Sequence, residues 1–171
     1  MPNPRPTALR TCARRAALAA VAVTAGSTTF TAAPAQAGAN EPRLDTRERQ
    51  VLHRVNAVRA DHGLARLAFG RKLSRAADHH SRRSQQRRTV AHTLPGEQPL
   101  EGRLAHAARV KPIGEVIYWT RRGASSAEIV RAWMRSPGHR ALLLSPDFGR
   151  AGIGIRTGRT GLYATVDLAA S

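Results

Sequence analysis

The segment Trp133–Arg140 constrains the fold of this chain most, because the apolar stripe of a predicted helix ends abruptly there at a proline-glycine pair. The helix that leads into it opens with a capping box over Ser125–Glu128, and Trp133 lies on its apolar stripe. Pro137-Gly138 then ends that helix, since proline disrupts the hydrogen-bond ladder. The pattern predicts Trp133 as a core anchor and His139 at the start of a new segment.

A predicted strand over residues 112–120 carries one acidic side chain among apolar ones. Alternation places Glu115 on the same face as Ile117 and Trp119, and the opposite face is also largely apolar. Glu115 is therefore expected to be partly buried, whichever face meets the core. Because a buried carboxylate is costly without a partner, Glu115 needs a cation or a hydrogen-bond donor from elsewhere in the chain.

The remaining elements predict an α+β domain. One helix is expected to begin at the capping box of Asp45 and Glu48 and to stop near Gly63, and a second helix follows. A loop with one short helix comes next, and two short strands form a closing hairpin, which together give an α+β fold with a mostly antiparallel sheet. The predicted bounds are 71–86 for the second helix, 100–108 for the short helix, and 151–156 and 161–167 for the hairpin strands.

The first 37 residues have the pattern of a secretory signal peptide. Four arginines precede an apolar stretch over residues 16–25, and the small-residue site Ala35-Gln36-Ala37 predicts cleavage after Ala37. Arg14-Arg15 leaves the export route open between the general secretory and twin-arginine pathways. We therefore expect residues 1–37 to be a signal peptide, 38–44 a linker and 45–171 one secreted, extracellular domain. No later segment is apolar over about 18 residues, so no transmembrane anchor is expected.

The cysteine content and the net charge limit the chemistry that is open to this predicted domain. Cys12, the only cysteine, lies in the predicted signal peptide, so the domain must be held by its hydrophobic core, by hydrogen bonds or by a metal. Removal of four arginines lowers the net charge from +17 to +13, which favours polyanions such as anionic cell-wall polymers. Arginine is used throughout the chain without long basic runs, so nucleic acid is not the expected partner.

Several short motifs follow one another in a defined order. Taken together, they resemble the bacterial CAP superfamily of secreted SCP-like or pathogenesis-related-1-like domains, over residues 45–168. The most specific is the string Trp133–Arg140 preceded by Ile113-Gly114-Glu115. The supporting motifs are Asn56-Ala57-Val58-Arg59, His62-Gly63-Leu64, Ala77-Asp78-His79-His80-Ser81, His92-Thr93, Leu144-Ser145-Pro146-Asp147-Phe148 and Gly152-Ile153-Gly154.

This resemblance implies a three-layer α-β-α sandwich with a central antiparallel sheet and a cleft lined by two histidines and two acidic residues. His92, Glu115 and His139 match three of those positions, and Ser136 stands at the fourth in place of an acid. The sequence also departs from the family pattern at Val116, where asparagine is usual, and in the ending of the last strand, Val166-Asp167-Leu168.

The chemistry of the implied cleft has two interpretations. Two histidines and a carboxylate could hold Zn²⁺ or a similar divalent ion through His92, His139 and Glu115, with water in an open position. Alternatively, Glu115 accepts hydrogen bonds from His139 or from backbone donors in a network without metal. A serine-hydrolase triad is not expected, because Ser136 directly precedes Pro137 in a helix-ending turn.

These observations predict a secreted binding or envelope-associated module and leave open whether it catalyses a reaction. The partners that the resemblance implies are a lipid or sterol-like small molecule or a surface at the cell wall. The alternatives are a metal-dependent hydrolase that uses His92, His139 and Glu115, and an electrostatic polyanion binder that does not use the cleft. His80 lies on the apolar stripe of the second helix and is expected to be a packed core histidine rather than a ligand.

Overall fold

The computed structural model describes residues 44–108 and 111–171, and these fall within one compact unit. The predicted signal peptide and residues 38–43 of the predicted linker lie outside the described residues. Leu44, the last residue of that linker, belongs to the hydrophobic core, and its carbonyl accepts a hydrogen bond from Arg49 at 3.0 Å. The packed domain therefore includes Leu44, the residue just before the first helix cap.

Five helices and four strands make up the described part of the chain. In chain order they are α1 (Thr46–Asp61), β1 (Ala68–Phe69), α2 (Arg71–Arg87), α3 (Leu100–Leu104), β2 (Ile113–Thr120), α4 (Ser126–Arg135), α5 (Pro137–Leu143), β3 (Arg150–Gly158) and β4 (Gly161–Ala169). Both predicted capping boxes are present, and Gly63 follows the end of α1 with a positive φ of 69°. No helix in these residues is both long and apolar enough to cross a membrane.

The four strands form a sheet in the order β1-β3-β4-β2. The β3–β4 hairpin and the β2–β4 pair are antiparallel, whereas the short strand β1 pairs with β3 in parallel. The predicted α+β class and the mostly antiparallel sheet are thus confirmed. Strand β1 was not predicted, because two residues are too few for alternation to show.

Helix α2 packs closely on one face of the sheet. A side chain at Gly152 or Gly154 would collide with the backbone of α2, so glycine permits this close approach. Ser81 of α2 donates a hydrogen bond to the Gly154 carbonyl at 2.8 Å. Glu115, Gly152 and Asp167 are paired across three neighbouring strands, so both carboxyl side chains point to the α2 face.

The opposite face carries the main hydrophobic core. Val116, Ile153 and Val166 are in register there and pack with apolar residues of α1, α4 and α5. Trp133 is buried in this core, and its indole N–H donates to the Ile117 carbonyl at 3.0 Å. The predicted role of Trp133 as a core anchor is confirmed, and its position fixes where α4 ends and α5 begins.

Candidate functional site

Glu115 lies near the start of β2, and its side chain is only 1% exposed. Its two oxygens are held by different partners, as the cost of burial requires. His92 Nδ1 lies 2.8 Å from Oε1, and Arg103 Nη2 lies 2.6 Å from Oε2. Glu115 therefore has two partners, the guanidinium of Arg103 and the ring of His92. The expected bond from His139 is not among these contacts.

Arg103 organises this site from a segment that was predicted only as loop with a short helix. Its side chain is 6% exposed and contacts both partners in the loop and strand, since Nη2 also donates to the His92 carbonyl at 3.2 Å. Its Nε and Nη1 are buried without a hydrogen-bond partner in the described residues. The sequence carried no signal for this residue, because one arginine among so many does not stand out.

Asp167 lies directly opposite Glu115 on β4 and is fully buried. Burial raises the pKa of Asp167 well above its usual range, the nearby charge of Glu115 raises this pKa further, and Arg103 opposes both effects. Neither carboxyl oxygen of Asp167 receives a hydrogen bond within the described residues. A protonated Asp167 would donate its O–H to the facing Glu115 carboxylate, and the two acids would then share one negative charge.

The sequence did offer a signal for Asp167. An acidic residue between Val166 and Leu168 in the last strand has the same pattern as Glu115 in β2. This ending stood out in the sequence only as a departure from the family pattern. Pairing the two strands in register would have shown that both acids face α2.

His80 of α2 completes the buried polar layer. Its Nδ1 lies 2.8 Å from Glu97 Oε2, its Nε2 lies 3.1 Å from the Ala91 carbonyl, and Nε2 is 3.9 Å from Glu115 Oε2. The prediction of a packed core histidine is confirmed. We call Glu115, Asp167, Arg103, His92 and His80 the Glu115 cluster.

Within the described residues, His139 and Ser136 make no side-chain hydrogen bond or ion pair with this cluster. The His92 side chain is 59% exposed, although its ring bonds to Glu115. His139, near the start of α5, is half-buried. Burial lowers the pKa of His139, and the charge of His92 lowers it further. Ser136 joins α4 to α5, and its side chain makes no capping hydrogen bond.

The arrangement of the Glu115 cluster does not suit a divalent metal ion. Both oxygens of Glu115 are engaged, and a cation at Oε2 would meet the guanidinium of Arg103. Serine at position 136 supplies no carboxylate. Across residues 44–108 and 111–171, no three histidine, cysteine or acidic side chains converge as metal ligands would. What the cluster can do is fix buried charges and hold the exposed ring of His92 against Glu115.

Comparisons with known proteins agree with this fold. Residues 52–168 match the family described as "CAP: Cysteine-rich secretory protein family". The chain is 30% identical over 111 residues to a Bacillus subtilis protein described as an uncharacterized membrane protein, an alignment that covers 64% of this chain and 32% of that protein. The chain thus spans about a third of the length of that curated relative.

Two solved structures have a similar fold. One is an extracellular protein containing an SCP domain from Bacillus anthracis, with a TM-score of 0.64 and 24% identity, covering 72% of this chain and 40% of that one. The other is an outer surface protein from Borrelia burgdorferi, with a TM-score of 0.64 and 18% identity, covering 77% of this chain and 100% of that one. At this level of identity the likeness shows the fold alone.

Proposed function

Since this chain belongs to the CAP family of cysteine-rich secretory proteins, we propose that it works outside the cytoplasm as a binding module at the cell envelope. The extracellular and outer-surface descriptions of the two structural neighbours support this location. The predicted signal peptide over residues 1–37 supports it as well. The family is described as cysteine-rich, but residues 44–171 contain no cysteine, so hydrogen bonds and the core take over the role of disulfides.

The observation that carries a binding role is the engagement of Glu115. Metal-assisted hydrolysis would need this carboxylate as a ligand or as a base. Its oxygens are instead held at 2.8 Å by His92 and at 2.6 Å by Arg103. Catalysis would have to displace a buried arginine, whose charge would then lie unpaired beside Asp167. A fixed polar support for a binding surface requires no such displacement.

The binding surface that follows from this support includes the exposed ring of His92 and the half-buried ring of His139. Their imidazoles can accept or donate hydrogen bonds next to apolar contacts. The lowered pKa of His139 favours its neutral form at neutral pH. Such a surface suits a lipid or sterol-like small molecule or a neutral part of a wall polymer. The excess of positive charge on the domain favours the polymer, because cell-wall polymers are often anionic.

A sedimentation assay with isolated bacterial cell walls tests this function. The purified chain should pellet with the walls, and the double variant His92→Ala with His139→Ala should weaken the apparent affinity by about tenfold. The matched control removes His53 and His62, two exposed histidines, one within α1 and one at its C-terminal cap. Equal retention of the double variant His92→Ala with His139→Ala and of the wild type would overturn the proposal that these rings bind the cell wall.

A further inference from the structure

A concave region lies between α2 on one side and α3 with the residues that follow it on the other. It is a cavity of about 480 Å³, which we call the α2–α3 cavity. Lys72, Arg75 and His79 line it from α2, and they recur three to four residues apart, so they share one helix face. Arg103 and His106 line it from the other side, and the small side chains of Ala76 and Ala107 leave the space between them open.

The charges of this cavity are all of one sign. No acidic side chain is among its lining residues in the described part of the chain. Lys72 and Arg75 are exposed, and neither has an ion-pair partner among residues 44–108 and 111–171. Two other cations near α2 differ, because Arg82 and Arg156 both pair with Asp78. Like charges that converge in a concavity raise the local concentration of anions, so the cavity favours a negatively charged ligand.

Arg103 gives this cavity a rigid inner wall. Its guanidinium is fixed by the bond to Glu115 at 2.6 Å, and so it cannot swing out to solvent as a surface arginine does. Lys72 and Arg75 are free to adjust around a ligand in front of this wall. The cavity therefore combines two mobile cations with a fixed guanidinium whose charge is paired with Glu115, and its volume lies within the usual range of small-ligand sites.

A neighbouring cavity of about 380 Å³ extends the same surface. It shares Lys72, Arg75 and Ala107 with the α2–α3 cavity and adds Arg150 and Phe69. Phe69 is 40% exposed, which is unusual for a large apolar side chain. A ligand whose anionic group enters the α2–α3 cavity could place an uncharged substituent against this ring.

We propose that the α2–α3 cavity binds the phosphate group of a phosphate ester, with the substituent of the ester lying toward Phe69. A phosphate has acceptor oxygens in several directions, so it can receive hydrogen bonds from both cations and from His79 and His106 at once. A carboxylate has only two oxygens in one plane. The site shares neither His92 nor His139 with the proposed wall-binding surface. The inference therefore goes beyond the proposed function and can fail independently of it.

Isothermal calorimetry with inorganic pyrophosphate tests the proposal. The purified chain should show one saturable site, and the double variant Lys72→Gln with Arg75→Gln should weaken the dissociation constant by about tenfold or more, since each removes a charge-assisted hydrogen bond. The matched control is Arg131→Gln with Arg135→Gln, which removes two exposed charges from α4 and should change the constant by less than about twofold. Absence of a saturable site, or equal weakening in both variants, would overturn the proposal.

Two further probes separate the possible sources of the phosphate. Glycerol phosphate that competes with pyrophosphate would identify a soluble ester. Sedimentation with phosphatidylglycerol vesicles that is lost in Lys72→Gln with Arg75→Gln, but kept in the α4 control, would identify a lipid headgroup. Either result supports the cavity as a phosphate site. No competition, together with vesicle binding that falls equally in both variants, would contradict it and leave only general attraction to net charge.

Discussion

Within the described residues, the side chains of Arg59 and Arg103 are both largely shielded from solvent, and their surroundings differ in one respect. Arg59 of α1 is 1% exposed, and each of its three guanidinium nitrogens donates to a backbone carbonyl. Arg103 is nearly as buried, but only Nη2 has partners within the described residues. The carbonyls that bind Arg59 are those of Ala65, Leu143, Ser145 and Phe148, at 2.8 to 3.2 Å.

This difference separates a structural region from a candidate functional one. Arg59 joins α1 to the end of α5 and to the loop before β3, and nothing in its surroundings is left to bind a ligand. Arg103 sits between two acids on one side and an open cavity on the other. Incompletely satisfied buried polar groups are rare in native proteins and concentrate at sites with a function. The contrast therefore points to Arg103 and its neighbours as the functional part of the fold.

The largest effect is expected at Arg59. Arg59→Met should lower the free energy of unfolding by about 3–5 kcal/mol, because four backbone carbonyls lose their donor and two of these hydrogen bonds are buried. Arg54→Met is the matched control on an exposed position of the same helix and should change stability by less than about 0.5 kcal/mol. Urea unfolding of both variants measures this. A loss below about 1 kcal/mol at Arg59 would mean that water replaces the guanidinium.

The next effect is a pH dependence at Asp167. Its pKa is raised in the folded state, so folding takes up a proton above the ordinary pKa of about 3.9, and stability falls as pH rises toward the folded pKa. Asp167→Asn removes this proton uptake. As pH rises from the ordinary pKa toward the folded pKa of Asp167, the variant should gain stability over the wild type by about 1.4 kcal/mol for each pH unit.

Urea unfolding of wild type and Asp167→Asn at several pH values gives this slope. Asp61→Asn, at an exposed position, is the control and should give a difference that does not change with pH. If the difference for Asp167→Asn is also constant, Asp167 is ionised in the fold, and the shared-proton pair with Glu115 does not exist.

A smaller loss is expected at Glu115. Glu115→Gln keeps the shape of the side chain but leaves Arg103 without its counter-charge, and this should cost about 1–3 kcal/mol of stability. Glu101→Gln is the control, since Glu101 is exposed on α3 near the same arginine. Thermal unfolding gives the melting temperatures of the two variants. Equal melting temperatures for Glu115→Gln and the control would show that the ion pair with Arg103 contributes nothing.

The smallest effect on stability is expected at His92, which is mostly exposed, so His92→Ala should cost less than about 1 kcal/mol. Its loss should raise the pKa of His139, because one of the two causes that lower this pKa is the nearby charge of His92. The rise should be partial, since burial is the larger cause. Titration of the His139 ring by NMR in both proteins measures it. An unchanged pKa would place the two rings too far apart to form one surface.

The features that the sequence predicted correctly depend on local patterns. The capping boxes at Asp45 and Ser125 lie within four residues of each helix start, and alternation along β2 was sufficient to predict the burial of Glu115. The partners of Glu115 were not predictable in this way. Asp167 meets it only through the β2–β4 register, and Arg103 comes from a segment without clear periodicity. Three of the bonds of Arg59 join residues 84 to 89 positions apart, so no local pattern predicts them.

We propose that the Glu115 cluster balances its charges through Arg103 and supports binding rather than metal chemistry. Calorimetric titration of the purified chain with Zn²⁺ tests this proposal, with His92→Ala and His139→Ala as the comparison variants. We expect any heat of Zn²⁺ binding to be the same in all three proteins. A heat of Zn²⁺ binding with 1:1 stoichiometry in the wild type, absent from both variants, would contradict this expectation. It would favour the metal-dependent hydrolase.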